Sequence, residues 1–346
     1  MSETTTIRKA VITEFGDASK VRVVQDTIAP PPANHVQVAT IYAGFSGSDI
    51  NMRKGVYPMQ KKAPLTPGYC LVGTVRTNGP GASRFIPGDV VAGLTVYDAD
   101  ADLVNLPEKY LVRVPAGIDL QQVTALILDW STAYAMVFEA AKVKAGQRVF
   151  VHGVSGAVGY AVMKLCQLQG AEVYGTASER NHEAVRAQGA TPFVYTDKNW
   201  MRAMKEEEDG AGGGADAVFD PLGFESWDES FSILSATGIL VGYGGNLRSL
   251  NDDGGEDRSV VVPTMKLLAR GMVPFCGKRT RFYYITRDDA TFEPNLRALF
   301  DLLAAGRITV PIKRVWELEE IQEAHRQWTG SAGVGSSLVR LSGVKA

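Results

Sequence analysis

Cysteine is scarce: Cys70, Cys166 and Cys276 are the three in 346 residues. They lie far apart, and an odd number cannot all pair. This argues against a disulfide framework and for a reducing, cytoplasmic setting. No Cys-x-x-Cys occurs, so a four-cysteine structural zinc site is not expected. Histidine is as sparse, with His35, His152, His182 and His325 scattered along the chain. No apolar run reaches the roughly 18 residues of a membrane span. Met1 to Ala10 lacks the apolar segment of a secretory signal. An excess of one charge is also lacking: 36 Lys and Arg stand against 38 Asp and Glu. Neither nucleic acid nor a membrane is therefore expected as a partner. A small-molecule substrate is, with a homodimer left open beside a monomer.

What the chain does have is length, apolar residues (45%) and 36 glycines. The length exceeds what one hydrophobic core usually supports, so two domains are expected. Residues 1–125 read as short strands cut by turns such as Pro30-Pro31-Pro32, Gly79-Pro80-Gly81 and Pro87-Gly88. Val36 to Ile41 alternates like a half-buried strand. This suits an antiparallel β domain. Residues 126–280 alternate strand and helix patterns, which implies right-handed crossovers and a parallel sheet. Gln121 to Ala141 is helical in composition. Residues 281–346 return to mixed structure that folds back on the first domain. The tract Glu206 to Gly214 reads as a surface loop. Met272 to Cys276 reads as a sheet edge, blunted by Pro274.

The central motif is Val149-Phe150-Val151-His152-Gly153-Val154-Ser155-Gly156-Ala157-Val158-Gly159. A strand runs into Gly153-x-x-Gly156-x-x-Gly159 and a helix follows, a variant of the dinucleotide fingerprint. Gly156 lets backbone N–H groups approach a pyrophosphate, Gly159 lets helix and strand pack closely, and the helix N-terminus faces the anion. Ser155, Ala157 and Val158 complete this cofactor loop. A ligand-free βα turn is the plainer alternative. The next strand should end in Asp or Glu to bind an NAD ribose. Here it reads Tyr174-Gly175-Thr176-Ala177-Ser178-Glu179-Arg180, with Ala177 at the acidic place. Ser178 and Arg180 suit a 2′-phosphate, so NADPH is the expected cofactor. Glu179 would be the ribose acid if the strand ran two residues longer.

On these residues the chain resembles the medium-chain dehydrogenases/reductases, of the zinc-independent quinone oxidoreductase type, over nearly its whole length. The most specific block is Ala43 to Pro58. Gly44, Asp49, Arg53, Gly55, Tyr57 and Pro58 match the quinone oxidoreductase pattern, and Ser46 replaces its asparagine. Asp49-Ile50-Asn51 followed by Gly55-Val56-Tyr57-Pro58 also resembles 2-enoyl thioester reductases. Pro87 to Val91, Thr132-Ala133-Tyr134, Val218-Phe219-Asp220 and Gly335 to Val339 add further matches. The resemblance implies an α/β fold: a doubly wound Rossmann sheet inserted in a GroES-like, mostly antiparallel β catalytic domain. It also implies a metal-free enzyme, since Ser46 and Tyr69 stand where zinc alcohol dehydrogenases place ligands. Cys70 reads as a buried strand residue.

The resemblance makes Tyr57 the candidate catalytic acid, and the alternative is that it only shapes the cleft wall. Ser46 and Thr132 fall where the family contacts nicotinamide, Tyr195 near its adenine-side tyrosine, and Tyr243 beside its nicotinamide. Asp49 reads as a loop-fixing residue. Leu247 to Pro263 reads as an enlarged loop. The implied function is NADPH-dependent reduction of a quinone or an α,β-unsaturated carbonyl. The alternatives are an enoyl-thioester reductase, with Lys61-Lys62 and Lys278-Arg279-Arg281 for a phosphorylated carrier, or a non-catalytic NADPH-binding sensor or structural protein.

Overall fold

The computed structural model describes residues 4–206, 213–250, 259–273, 276–330 and 332–341. They fall into two compact units. One takes the chain up to Ser131, Thr286–Ser331 and the segment from Ser336. The other takes Thr132–Ile285 and Ala332–Gly335. The sequence rhythm placed these breaks near 125 and 280. The later second break has a plain cause: the strand Arg279–Tyr283 pairs in parallel with Leu234–Tyr243, so the parallel sheet keeps it. The helical run from Leu120 to Ala141 offers no internal mark for the first break. It contains two π segments, Leu126–Trp130 and Ala135–Ala141.

In the first unit the strands Ile312–Glu317, Ser336–Arg340, His35–Phe45, Cys70–Asn78, Val90–Leu94 and Leu111–Arg113 lie side by side in that order, and Leu103–Pro107 also pairs with His35–Phe45. Apart from the first pair, which is parallel, neighbours run antiparallel. The tail strand Ser336–Arg340 sets Val339 opposite Ala43, so the tail completes this sheet. Thr5–Ile12 and Val21–Ile28 form a separate hairpin.

The second unit is a six-stranded sheet, parallel throughout. Its order is Thr191–Val194, Glu172–Ala177, Arg148–Val151, Ala215–Asp220, Leu234–Tyr243, Arg279–Tyr283. In chain order that is third, second, first, fourth, fifth, sixth, the arrangement of a dinucleotide-binding fold. Val149, Phe150, Val151, Val218 and Phe219 are fully buried, as strands covered on both faces must be. Phe150 stacks on Trp200 with ring centroids 5.0 Å apart. Trp227, Leu240 and Leu267 extend that core. The sheet edge is Arg279–Tyr283 rather than Met272 to Cys276, within which Pro274 and Phe275 lie outside the described residues. Residues 207–212 and 251–258 also lie outside them. The ends of the expected 247–263 loop are helical, at Leu247–Leu250 and Val261–Arg270. Among the described residues no helix is long and apolar enough to cross a membrane.

The β unit buries four carboxyl groups: Asp102, which is paired with Arg8, and Asp49, Asp100 and Asp129. Asp49 accepts from the amides of Ser46 (2.9 Å) and Gly68 (3.2 Å). Asp129 accepts from the Ser336 hydroxyl at 2.6 Å. Neither oxygen of Asp100 has a hydrogen-bond partner among the described residues. Burial disfavours the charged form. It pushes Asp49 up to about 6 and Asp129 to about 7, from an ordinary value of 3.8, and Asp100 well above that value. The folded state therefore holds these protons more tightly than the unfolded chain. The stability they contribute is fully present below about pH 4 and is lost as pH rises through 6 to 7. Asp129→Asn, which mimics the protonated acid, should gain thermal midpoint relative to wild type as pH rises from about 3.5 to about 8. A difference between the two proteins that is independent of pH would refute the assignment.

Candidate active site

The strand Arg148–Val151 delivers the chain to a turn that only glycine can make. Gly153 sits at φ +67°. A Cβ on Gly159 would lie 2.1 Å from the Gly153 carbonyl oxygen. That oxygen accepts the Gly156 amide at 2.8 Å. Gly156 is the N-cap of the helix Ala157–Leu168, and no side chain caps it. The first-turn amides of this 12-residue helix thus meet the C-terminal end of a central strand without a side-chain oxygen in front of them. Ser155, Gly156, Ala157 and Val158 are half-buried around this concavity. An uncapped helix N-terminus at the point where strand order reverses fits the pyrophosphate of a nicotinamide dinucleotide.

Behind the turn lies a buried chain of hydrogen bonds. Asp220 accepts from the hydroxyls of Ser226 and Ser230, both at 2.7 Å, and from the Leu222 amide at 2.7 Å. Ser230 spends its one proton on Asp220. Its oxygen can then only accept from His152 Nε2, 3.0 Å away. Burial lowers the His152 pKa and keeps the ring neutral, so Nδ1 is an acceptor. The Thr176 hydroxyl donates to it at 3.2 Å and accepts the Gly153 amide at 3.2 Å. Every donor from Gly153 onward points toward Asp220. The cofactor turn is thus oriented by one carboxylate three side chains away. The sequence reading passed over Thr176 and His152; both follow from their place at the ends of the first two strands.

The strand after the helix ends at Ala177. Ser178 precedes the 3-10 turn Glu179–Asn181 without a side-chain cap, and Glu179 and Arg180 are exposed. Glu179 therefore lies beyond the strand end, in the turn that follows it. Asn181, which the sequence reading missed, donates to the Ser155 hydroxyl at 3.2 Å and accepts the Gly333 amide at 3.1 Å. Gly335 in turn donates to the Ser155 carbonyl at 3.2 Å. Ala332–Gly335 thereby joins the cofactor unit, as Gly333-Val334-Gly335 could have signalled. Tyr195 follows the outermost strand Thr191–Val194 and is 55% exposed. Tyr243 ends the fifth strand and is buried, as is Thr132 in the helix Ser131–Tyr134.

In the β unit, Ser46 and Asp49 form a capping box on the helix Gly47–Arg53. The Ser46 hydroxyl shares a 2.7 Å hydrogen bond with Ser48. Asp49 ties this helix to Gly68, the residue before Tyr69. Tyr57 is half-buried, its phenol oxygen 2.7 Å from that of Tyr69 and its ring edge-on at 5.8 Å. The Cys70 thiol donates to the Thr124 carbonyl at 3.7 Å, and burial pushes its pKa well up. The Ser46, Tyr69 and Cys70 side chains are thus engaged inside the protein, and they do not fit a zinc ion. Among the described residues no group of three or more His, Cys, Asp or Glu is placed to hold a metal.

Two family models match the chain: an alcohol dehydrogenase GroES-like domain over residues 32–116 and a zinc-binding dehydrogenase over residues 188–336. The human synaptic vesicle membrane protein VAT-1 homolog is 27% identical over 96% of this chain and 86% of its own. A probable quinone oxidoreductase of Schizosaccharomyces pombe is 27% identical over 95% of each. Among solved structures, the Escherichia coli quinone oxidoreductase complexed with NADPH superposes with a TM-score of 0.82 at 22% identity, covering 97% of this chain and all of that one. The CurK enoyl reductase does so with a TM-score of 0.79 at 21% identity, over 96% and 99%.

Thr176→Val should leave the Gly153 amide and His152 Nδ1 both unpaired. The cost is about 1–3 kcal/mol for the buried His152 Nδ1, and less for Gly153, which is exposed. The expected outcome is a thermal midpoint several degrees lower and a nicotinamide dissociation constant raised about tenfold, with Thr176→Ser restoring both. Fluorescence titration and thermal melts check it. An unaltered Thr176→Val protein would refute the oriented chain.

Proposed function

Since the chain is an oxidoreductase of the medium-chain dehydrogenase/reductase superfamily, quinone oxidoreductase-like, we propose that it is an NADPH-dependent reductase of quinones or α,β-unsaturated carbonyls. The observation that carries the cofactor choice is the strand ending at Ala177. That end carries alanine in place of the carboxylate an NAD ribose would call for. Ser178 offers a hydroxyl and Arg180 a cation to a 2′-phosphate. Bound at the glycine turn, the reduced nicotinamide supplies hydride. The amides of Ala157 and Val158 would hold its pyrophosphate, and Gly156 would leave that approach clear.

Tyr57 carries the acceptor chemistry. A phenol O–H is a hydrogen-bond donor and a weak acid. It can hydrogen-bond a carbonyl oxygen whose negative charge grows, then release the proton. This suits an enone more than a quinone, whose product can take protons from water. An enoyl thioester shares the enone's chemistry, and the structural likeness to an enoyl reductase supports it as the second reading. Lys61 and Lys62, both exposed, and Lys278 would serve its phosphorylated carrier.

A panel of a quinone, an enone and a crotonyl thioester with NADPH and NADH tests both readings. Arg180→Ala should raise the KM for NADPH about ten- to a hundredfold and leave that for NADH unchanged, as loss of a charge-assisted hydrogen bond implies. An equal effect on both cofactors would sink the 2′-phosphate assignment. Tyr57→Phe should slow enone reduction at least about a hundredfold with NADPH affinity unchanged. A wild-type enone rate would remove Tyr57 as the acid.

A further inference from the structure

We propose that Gln60 is the positioning residue of Tyr57: its side-chain amide staples the loop that carries Tyr57 to the end of the helix Gly47–Arg53, and so holds the phenol where its proton is delivered. This rests on the reading of Tyr57 as proton donor and extends it to a residue that acts only through Tyr57.

Between the helix Gly47–Arg53 and the strand Cys70–Asn78 no regular element intervenes. The backbone of the Tyr57 loop must therefore find its hydrogen bonds elsewhere. The Val56 amide reaches the Asn51 carbonyl at 3.0 Å. The Tyr57 amide donates to Gln60 Oε1 at 2.8 Å, and Gln60 Nε2 donates to the Met52 carbonyl at 3.2 Å. The Gln60 amide can sit only one way round, since the Tyr57 N–H needs an oxygen and the Met52 carbonyl needs an N–H. Met52 is fully buried, so the staple is anchored on a fixed point. Gln60 itself is half-buried, although Pro58, Met59, Lys61 and Lys62 around it are exposed. On its far side the Lys61 amide donates to the Tyr97 hydroxyl at 3.1 Å, and the Lys61 ammonium lies 4.5 Å from the centre of that ring.

The turn that returns Gln60 to Met52 is a strained one. The Gln60 amide donates to the Tyr57 carbonyl at 3.3 Å, closing four residues with Pro58 second and Met59 third. Met59 takes φ +54°, a conformation that the third place of a type II turn demands and glycine ordinarily fills. Its side chain is 96% exposed, so packing does not offset that cost. Strain of this kind persists where the surroundings over-determine it, and it gathers at functional sites.

Tyr57 is thereby held at both ends: its backbone by Gln60, and its phenol by the O–H it donates to the Tyr69 oxygen at 2.7 Å. With the ring fixed, rotation of the O–H alone transfers that proton from Tyr69 to a carbonyl acceptor. Hydride adds to the β-carbon of the enone, and the C=C electron pair moves onto the carbonyl oxygen. The Tyr57 O–H bond then breaks and its proton passes to the enolate. The O–H electron pair stays on Tyr57 as a phenolate, which takes a proton from water. A misplacement of about 1 Å in such a donor costs on the order of a hundredfold in rate.

The experiment compares Gln60→Ala, Gln60→Glu, Tyr57→Phe and the Tyr57→Phe/Gln60→Ala double variant as full chains, reading enone kcat against pH together with NADPH affinity. Gln60→Ala should lower kcat about ten- to a hundredfold at unchanged NADPH affinity. It should have no further effect in the Tyr57→Phe background, where there is no proton to place. Gln60→Glu separates positioning from folding. A protonated carboxyl offers the same acceptor and donor as the amide, whereas an ionised one loses the donor and faces the Met52 carbonyl with a charge. Its kcat as a ratio to wild type at the same pH should be greatest at about pH 4.5 and fall as pH rises to about 8. With Tyr57→Phe slow, any of three results overturns the role of Gln60 and leaves the acid standing: wild-type kcat for Gln60→Ala, equal slowing by Gln60→Ala in both backgrounds, or a Gln60→Glu ratio that does not vary with pH. A Tyr57→Phe protein with the wild-type enone rate fails the acid reading and takes the role of Gln60 with it.

Discussion

A carbonyl oxygen that must lie against an α-carbon sets the geometry of the cofactor unit. The Gly153 oxygen occupies the space where any side chain at Gly159 would begin. Because those atoms touch, the helix Ala157–Leu168 starts hard against the end of the strand Arg148–Val151. Its open first turn follows from the same closeness, since Gly156 supplies no capping side chain. Anion binding is then a by-product of packing: amides that would otherwise need caps are left to be satisfied by a phosphate. The chain from Gly153 through Thr176, His152 and Ser230 to Asp220 holds the peptide in the orientation this contact requires. It is a fully paired polar network, the kind that specifies one geometry rather than merely adding stability.

The β unit shows the opposite use of buried charge. The Asp220 carboxylate accepts three hydrogen bonds. Asp100 accepts none, and the nearby charge of Asp49 adds to its desolvation. A carboxyl group in that setting is cheaper neutral than ionised. Asp49 is intermediate: two amides stabilise its charge while burial opposes it. Its structural work is to hold the capping box of Gly47–Arg53 and the Gly68 amide in one place. The Tyr57–Tyr69 pair is built on that fixed point, since Tyr69 is the next residue after Gly68.

Much of this was legible in the sequence, for reasons that differ by region. The glycine turn could be read because its spacing follows from contacts within a dozen residues. The parallel order of the second unit followed from strand-helix alternation, and the burial of Val149-Phe150-Val151 from an unbroken apolar run. The return of the tail was expected from its mixed pattern and is realised by Val339 opposite Ala43. What escaped were pairings between distant residues. Asn181 meets Gly333 across 152 positions, and Tyr57 meets Tyr69 through a hydrogen bond that no local pattern encodes. The π segments in the run from Leu126 to Ala141 escaped because composition records helix and not its pitch. The outer strand of the parallel sheet is the comparatively polar Arg279–Tyr283, which an apolar-run reading does not pick out.

The cofactor choice turned on a boundary, which is where sequence reading is weakest. Glu179 and Ala177 are two residues apart, and a strand longer by that much would have exchanged their roles. The strand ends at Ala177 because Ser178 leads directly into the 3-10 turn Glu179–Asn181, with the Asn181 amide donating back to the Ser178 carbonyl at 2.8 Å. That turn is in turn anchored by Asn181, whose side chain is committed to Ser155 and Gly333. Lengthening the strand would break all three hydrogen bonds, each holding a half-buried or buried amide or hydroxyl. The absence of an acid at the strand end is therefore not a local accident of residue choice. It is held in place by the same contacts that tie Asn181 to Ser155 and Gly333, so the end of the strand and the glycine loop share one set of hydrogen bonds.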